Sequence, residues 1–159
     1  MYSRSVTATD DLLRLENQLC FAIVTAARNI VAIYRPILEP LGLTHPQYLV
    51  MLALWERAPR TLNDLAADLA LEPATASPLV KRLETDGLVA RQRSAEDERR
   101  LEITLTEAGL ALRARAVDVP VQVMRAVGMS IQEVGALRDG LGAFAGRRLD
   151  SGSTAPPSA

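Results

Sequence analysis

The order of helices and strands is clearest in residues 60–106, which have the sequence RTLNDLAADLALEPATASPLVKRLETDGLVARQRSAEDERRLEITLT. Thr61 is followed three residues later by Asp64, as in a capping box with the shorter acid, and apolar residues then recur at helical spacing as far as Leu69. This pattern predicts a first short helix.

A second helix is predicted after a short turn that ends at Pro73. It spans about Ala74–Asp86 and stops at Gly87, and Pro78 lies near its first turn, where a missing N–H costs little. Its apolar side chains are predicted to face the core. Its outward-facing residues are Thr75, Ser77, Lys81 and Arg82.

The residues after Gly87 alternate in character instead of following a helical period. Residues 88–93 and 101–105 are the two alternating runs, and the charged residues 94–100 join them, which predicts an antiparallel hairpin. Helix, turn, helix and hairpin is the order of a winged helix-turn-helix. We therefore predict a mainly α fold with a small β-hairpin wing.

This order of elements points to DNA binding, because a helix fits the major groove and short polar side chains near its N-terminus reach base edges or phosphates. Thr75 and Ser77 hold that place. Arg99 lies near the tip of the hairpin, where an arginine can enter a narrow minor groove. Asp97 is expected to pair with Arg99 and fix its direction. The alternative is a hairpin whose charges only keep it soluble.

We predict two sets of DNA contacts. Phosphate contacts, which supply most of the affinity, are assigned to Arg60, Lys81, Arg91 and Arg93. The choice of DNA sequence is assigned to Thr75, Ser77, Arg82 and Arg99. Because the chain has a formal net charge of only −1, its attraction to phosphate must come from a local basic patch.

Length and composition exclude several classes of protein. The 159 residues suffice for one domain with a sizeable core, since 48% of them are hydrophobic. No apolar run is expected to reach the length of a membrane span, and the N-terminus does not resemble a secretory signal, so a cytoplasmic protein is expected. No motif indicates a metal, a cofactor or an enzyme.

Further helices are predicted on both sides of this segment. Apolar residues recur from Leu12 to Ile33 in a long amphipathic helix that is expected to end at Pro36, and Ile37, Leu38 and Leu41 indicate a short continuation before Gly42. Thr44 caps a helix with an apolar body over residues 48–55, which is expected to be central in the core.

The C-terminal part is also predicted to be helical. A helix starts at Glu107 and is expected to be kinked or divided at Pro120. Ser130 and Glu133 form a capping box for a last helix that ends at about Leu149.

We therefore describe residues 10–149 as one domain, with a winged helix-turn-helix core over 44–105 and dimerisation helices over 10–43 and 106–149. Residues 1–9 and 150–159 are predicted to be disordered. A homodimer is expected because reading a palindromic operator in double-stranded DNA, with one recognition helix per half-site, requires a two-fold axis. The alternative is a monomer whose terminal helices pack on their own core.

The chain from about Leu12 to Leu149 resembles the MarR family of dimeric winged-helix regulators, whose wing signature of Asp, any residue and Arg is present at residues 97–99. Further stretches are similar to the OhrR branch of organic hydroperoxide-responsive repressors. They are LENQLCF at 15–21, YRP at 34–36, PQYLVMLALWE at 46–56, PLVKRLE at 78–84 and EDERR at 96–100.

Cys20 is the only cysteine in the chain, so an intramolecular disulfide is impossible. By itself it indicates a small buried hydrophobe. The resemblance implies instead that it is a sensing thiolate, that an organic hydroperoxide oxidises it to a sulfenic acid, and that Tyr34 donates to it across the dimer. The next step would be a mixed disulfide with a low-molecular-weight thiol, or overoxidation.

His45 departs from the branch, which usually has a second tyrosine at this place. Histidine can also donate a hydrogen bond, and its positive charge would stabilise a thiolate, so we include His45 in the predicted redox site. The alternative is a helix-entry residue without a partner. Glu72, Pro73, Ala74 and Ala76 depart from the branch's usual DSGTL pattern, so a different operator is expected.

These features together predict a dimeric repressor that oxidation of Cys20 releases from its operator. Three alternatives stay open. They are a MarR-type repressor released by a small aromatic anion held between its dimerisation and DNA-binding parts, a thiol peroxidase that uses Cys20, and a winged-helix interaction module without specific DNA.

Overall fold

The computed structural model describes the backbone of residues 11–145 and the side chains as far as residue 142. Two compact units are present, Met1–Val123 and Met124–Ala159. In chain order the helices are α1 (Leu19–Leu38), α2 (His45–Glu56), α3 (Leu62–Asp68), α4 (Pro73–Thr85), α5 (Glu107–Ala116), α6 (Val119–Val127) and α7 (Ile131–Ala145). The strands are β1 (Arg60–Thr61), β2 (Val89–Arg93) and β3 (Leu101–Leu105), and single turns of 3-10 helix occupy Leu15–Asn17 and Glu39–Leu41.

The strands form one antiparallel sheet in the order β1, β3, β2. In the hairpin, Val89 pairs with Leu105 and Arg93 with Leu101, which confirms the predicted wing. β1 adds a third strand that the sequence analysis missed, because two residues are too few to display an alternating pattern. The predicted fold class, mainly α with a small wing, is confirmed.

The core of the first unit surrounds α2. This helix packs against α1, α3, α4, α5 and β3, which confirms its predicted central place. The completely or almost completely buried side chains include Leu38, Val50, Met51, Leu54, Leu65, Val80, Leu83 and Val89. A fixed core therefore holds the first turns of α4 and the base of the wing at one surface.

Local capping groups set the helix starts as predicted. The Thr61 hydroxyl accepts from the Asp64 N–H while Asp64 accepts from the Thr61 N–H, and Ser130 and Glu133 form the same reciprocal pair at the start of α7. Gly87 follows α4 with φ +74°, a conformation that favours glycine. The predicted end of the last helix at Leu149, and the predicted disorder of 1–9 and 150–159, lie outside the described residues.

Two predictions made from prolines differ from the structure. α1 does not end at Pro36 but continues to Leu38. Pro36 lacks the N–H that would donate to the Ala32 carbonyl, so one helical hydrogen bond is lost near the helix end. The helix nevertheless continues because the Leu38 side chain is completely buried. Pro78 is the sixth residue of α4, beyond its first turn. By contrast, the predicted division before Pro120 is confirmed, because α5 ends at Ala116 and α6 begins at Val119.

The helical segment Leu19–Leu41 is long and apolar enough to span a membrane by length and composition, contrary to the sequence-based expectation. Almost none of the residues in its most apolar 18-residue stretch are buried. A helix with an apolar surface that another protein chain covers satisfies the same criteria.

Candidate DNA-binding surface and thiol site

The first turns of α4 present the residues expected to contact DNA. Val80 and Leu83 are completely buried and fix the inner face of this helix. Thr75, Lys81 and Arg82 are exposed, and Ser77 is half-buried. The helix is therefore anchored on one side and offers hydroxyl and cationic groups on the other.

The wing tip has an ordered backbone that directs Arg99 outward. The Asp97 carboxylate accepts from the backbone N–H of Arg99 at 3.0 Å, and the Arg100 N–H donates to the Asp97 carbonyl at 2.9 Å. The Arg93 guanidinium donates to the Glu98 carbonyl at 2.7 Å. Asp97 thus contacts Arg99 as predicted, but through the backbone N–H of Arg99 and not through its guanidinium.

Arg60 is not available to phosphate, contrary to the sequence-based assignment. Its side chain is only 6% exposed and forms an ion pair with Asp68 of α3. The reason is the short strand β1, whose pairing of Arg60 with Ile103 places residue 60 in the sheet. A buried guanidinium must have a charged or polar partner, so the role of Arg60 is structural.

Arg91 is partly exposed and is also close to an acidic side chain of α4. Its Nε atom is 3.4 Å from a Glu84 carboxylate oxygen of α4, and its side chain is 29% exposed. A phosphate would have to compete with Glu84 for this guanidinium. The accessible members of the predicted set are Thr75, Ser77, Lys81, Arg82, Arg93 and Arg99.

Cys20 is exposed and is the second residue of α1. Tyr34 follows 14 residues later on the same helix, which at 1.5 Å per residue separates the two by about 21 Å. Tyr34 is close to His45 instead, with ring centroids 4.8 Å apart and ring planes at 56°. The structure therefore brings Tyr34 and His45 together, and it does not bring Cys20 of the same chain to them.

Burial changes the acid–base properties of this aromatic pair. It raises the pKa of the Tyr34 hydroxyl, so the group stays protonated and able to donate at neutral pH. Burial lowers the pKa of His45 from its usual value of 6.5. The positive charge that the sequence analysis gave to His45 is therefore disfavoured near neutral pH, and a neutral imidazole remains, which can still donate one hydrogen bond.

Sequence reasoning missed a cleft between α1, α2 and α4. It has a volume of about 790 Å³, and the residues that line it include Arg35, Glu39, His45, Leu79, Arg82 and Asp86. Arg35 lines this cleft and was not among the predicted site residues. Its place in the YRP stretch, directly after Tyr34, was the sequence feature that could have indicated it. The cleft size is in the range of small-molecule sites. Within the described residues, no group of three or more His, Cys, Asp or Glu side chains could hold a metal.

Comparison with known proteins assigns this chain to a family. The MarR family model matches residues 43–101. The organic hydroperoxide resistance transcriptional regulator of Bacillus subtilis (strain 168) is 44% identical over 110 residues, which cover 69% of this chain and 75% of that protein. The chain belongs to the MarR family.

Solved structures agree with this MarR-family membership. Reduced AbfR bound to DNA, a Staphylococcus epidermidis protein, is 34% identical with a TM-score of 0.70 and covers 86% of this chain and 96% of its own. Bordetella bronchiseptica BpsR, whose DNA binding is regulated by 6-hydroxynicotinic acid, is 25% identical with a TM-score of 0.76 and covers 84% and 97%. This MarR-family chain is a DNA-binding transcriptional regulator.

Proposed function

We propose that this chain forms a homodimeric cytoplasmic repressor that leaves its operator when an organic hydroperoxide oxidises Cys20. The observation that carries the proposal is the position of Cys20, exposed at the start of a long apolar helix whose other half carries Tyr34, which contacts His45 of α2. The similarity to an organic hydroperoxide resistance regulator supports the same chemistry.

A second copy of the chain is the proposed cover of the apolar surface of α1. Large apolar side chains on this helix are 38% to 63% exposed, namely Leu19, Phe21, Val24, Ile30 and Val31. Arg28 and Arg35 interrupt the same helix and would be costly in a bilayer. We therefore assign residues 10–43 and 106–149 to dimerisation, with residues 44–105 as the DNA-binding core.

The proposed dimer also accounts for the large distance between Cys20 and Tyr34 within one chain. Since about 21 Å of helix separates Cys20 from Tyr34 of its own chain, Tyr34 of the second subunit is the proposed hydroxyl donor to the sulfur. Two α1 helices that run antiparallel about a two-fold axis would place each Cys20 near the Tyr34–His45 pair of the second subunit. Hydrogen bonds from protonated Tyr34 and neutral His45 would favour the anionic sulfur.

The proposed oxidation is a two-electron transfer. The Cys20 thiolate attacks the outer oxygen of the hydroperoxide, the O–O bond breaks, and the alkoxide leaves as an alcohol after taking a proton. Sulfur is oxidised to a sulfenic acid, and the peroxide is reduced. A low-molecular-weight thiol then attacks the sulfenic sulfur and displaces hydroxide, which leaves as water, to give a mixed disulfide. Reduction of this disulfide would restore the Cys20 thiol.

Loss of DNA binding follows from the oxygen atom or thiol group that oxidation adds to the Cys20 sulfur. Reduced dimer binds because Lys81 and Arg93 contact phosphates while Thr75, Ser77, Arg82 and Arg99 reach bases. A sulfenic acid or a mixed disulfide adds bulk between the subunits and displaces Tyr34, whereas the hydroxyl of Cys20→Ser adds no bulk and can still accept a hydrogen bond from Tyr34. The two recognition helices α4 would then no longer match successive grooves of the operator.

A mobility-shift experiment tests the proposal. Cys20→Ser is expected to bind operator like the wild type and to stay bound in cumene hydroperoxide, whereas the wild type is released and gains the mass of an oxidised cysteine. Release of the Cys20→Ser protein would refute the sensing role. Peroxide turnover with excess thiol is expected to be slow, because without a second cysteine in the chain the oxidised Cys20 is reduced by external thiol alone; rapid sustained turnover would favour a thiol peroxidase.

The cleft beside His45 supports a second candidate, a repressor released by a small aromatic anion. Arg35 and Arg82 bring two guanidinium groups to a cleft lined partly by apolar side chains, and a guanidinium suits a carboxylate. The comparison with BpsR, which responds to 6-hydroxynicotinic acid, supports this candidate. Release by such an acid under reducing conditions, and its loss in Arg35→Gln, would favour it over oxidation.

A further inference from the structure

A row of aromatic side chains connects the Tyr34 end of α1 with the interior of the DNA-binding core. The Tyr34 and Tyr48 ring centroids are 5.9 Å apart, and those of Tyr48 and Trp55 are 6.4 Å apart with the planes at 68°. These are favourable tilted and edge-on contacts. Because Tyr48 is only 2% exposed, a movement of Tyr34 displaces close-packed rings and not solvent.

The row ends on a backbone carbonyl of the next helix. The Trp55 indole N–H donates to the Gly109 oxygen at 2.9 Å. Gly109 is the third residue of α5, and it is buried. An indole nitrogen is a donor only, and a donor that loses its acceptor inside a protein costs free energy, so this bond fixes the distance between α2 and α5.

Gly109 touches the segment that joins the recognition helix to the wing. A Cβ at this position would clash with the Leu88 carbonyl oxygen, so the two backbones are in direct contact. The Leu88 N–H donates to the Leu83 carbonyl of α4 at 2.9 Å, and the Leu88 carbonyl accepts from the Thr106 N–H after β3 at 3.1 Å. Leu88 therefore connects α4, β2 and β3 in one junction.

We propose that Trp55 is a positioning residue, whose indole N–H transmits the state of the thiol site from Tyr34 and Tyr48 to the Gly109–Leu88 junction. The inference rests on the proposed function, because it requires Cys20 oxidation to disturb Tyr34. When oxidation adds bulk at Cys20, Tyr34 is displaced and repacks against Tyr48, and Trp55 shifts α5 against Leu88. The recognition helix and the wing then move together.

Two substitutions isolate the indole N–H. Trp55→Phe keeps a ring and removes the donor. Since the chain contains one tryptophan, replacing all tryptophan with benzothienylalanine changes this position alone, exchanges N–H for sulfur and keeps the ring shape. Tyr48→Phe is the matched control, because it removes a polar group from the row and leaves every ring in place.

The measured quantity is the ratio of operator dissociation constants for hydroperoxide-treated and reduced protein, together with the fraction of Cys20 oxidised by intact mass. Both Trp55 variants are expected to oxidise at the wild-type rate but to show a ratio about fivefold smaller, the fold-change for a hydrogen bond of ordinary strength. Tyr48→Phe is expected to keep the wild-type ratio. Wild-type tryptophan fluorescence is expected to change on oxidation, and Cys20→Ser fluorescence is not.

The outcomes separate this inference from the function on which it rests. If hydroperoxide does not release the wild type, the proposed function fails and the coupling role fails with it. If the wild type is released while both Trp55 variants keep its full ratio, only the coupling role is wrong. Release of the wild type without any change in Trp55 fluorescence would also overturn the coupling role.

Discussion

The side chains of Thr75, Lys81 and Arg99 are exposed and can reach an operator. Helix periodicity orients Thr75 and Lys81, whereas the Asp97 turn holds Arg99 at the wing tip. Arg60 differs from its predicted role because its buried guanidinium pairs with the exposed Asp68 of α3, and Asp97 contacts the backbone N–H of Arg99. Such partners depend on tertiary packing, which residue spacing does not reveal.

Arg99→Ala is expected to weaken operator binding by about 1 to 3 kcal/mol, as for loss of a base-reading arginine. The physical reason is that the Asp97 turn holds the Arg99 backbone at the wing tip, where the guanidinium can reach the minor groove. Fluorescence anisotropy with labelled operator measures the change. Arg138→Ala, an exposed arginine of α7, is the matched control, and equal effects of both substitutions would remove the wing from the DNA contacts.

His45 is expected to make stability depend on pH. Burial lowers its pKa below 6.5 in the folded chain, so the unfolded chain binds more protons as the pH falls through 6.5. The free energy of unfolding should therefore fall between that value and the lowered pKa, while folded His45 stays neutral. Urea unfolding at pH 7.5 and 5.5 tests this, and a pH effect as large in His45→Gln as in the wild type would contradict it.

Elements with strong local signals were predictable, whereas short or context-dependent ones were not. The capping boxes, Gly87 and the alternating runs of the wing predicted α3, α4 and the hairpin. The two-residue strand β1 and the continuation of α1 through Pro36 depend on pairing and burial elsewhere in the fold. The Tyr34–His45 contact likewise depends on how α1 meets α2, which no sequence spacing specifies.

The contact of α5 with the junction before β2 predicts the effect of glycine substitutions. Gly109→Ala is expected to destabilise the fold by about 2 to 3 kcal/mol, because its Cβ would overlap the Leu88 backbone, which cannot move aside like a side chain. Gly140→Ala in α7, where a Cβ meets nothing within 4 Å, should be neutral or stabilising by up to about 1 kcal/mol. Denaturant unfolding compares the two, and similar effects would contradict the close contact.

At the scale of the whole molecule, the proposed dimer connects the apolar surface of α1 with DNA binding. Ile30→Glu places a charge on that surface and is expected to give a monomer that binds a palindromic operator at least about tenfold more weakly, since one of two linked contacts is lost. Asn29→Glu, at the adjacent polar position, is the control and should stay dimeric. Light scattering with operator titration decides, and a fully dimeric Ile30→Glu protein would contradict the assigned interface.

The most direct measurement follows operator release and thiol oxidation in the same samples. Wild-type protein on its operator would be titrated with cumene hydroperoxide, the bound fraction read by anisotropy, and each peptide analysed by mass spectrometry. The account predicts that release rises in proportion to modified Cys20 and that thiol reductant restores binding. Release while Cys20 remains a free thiol would contradict it, whichever other residue carried the oxidation.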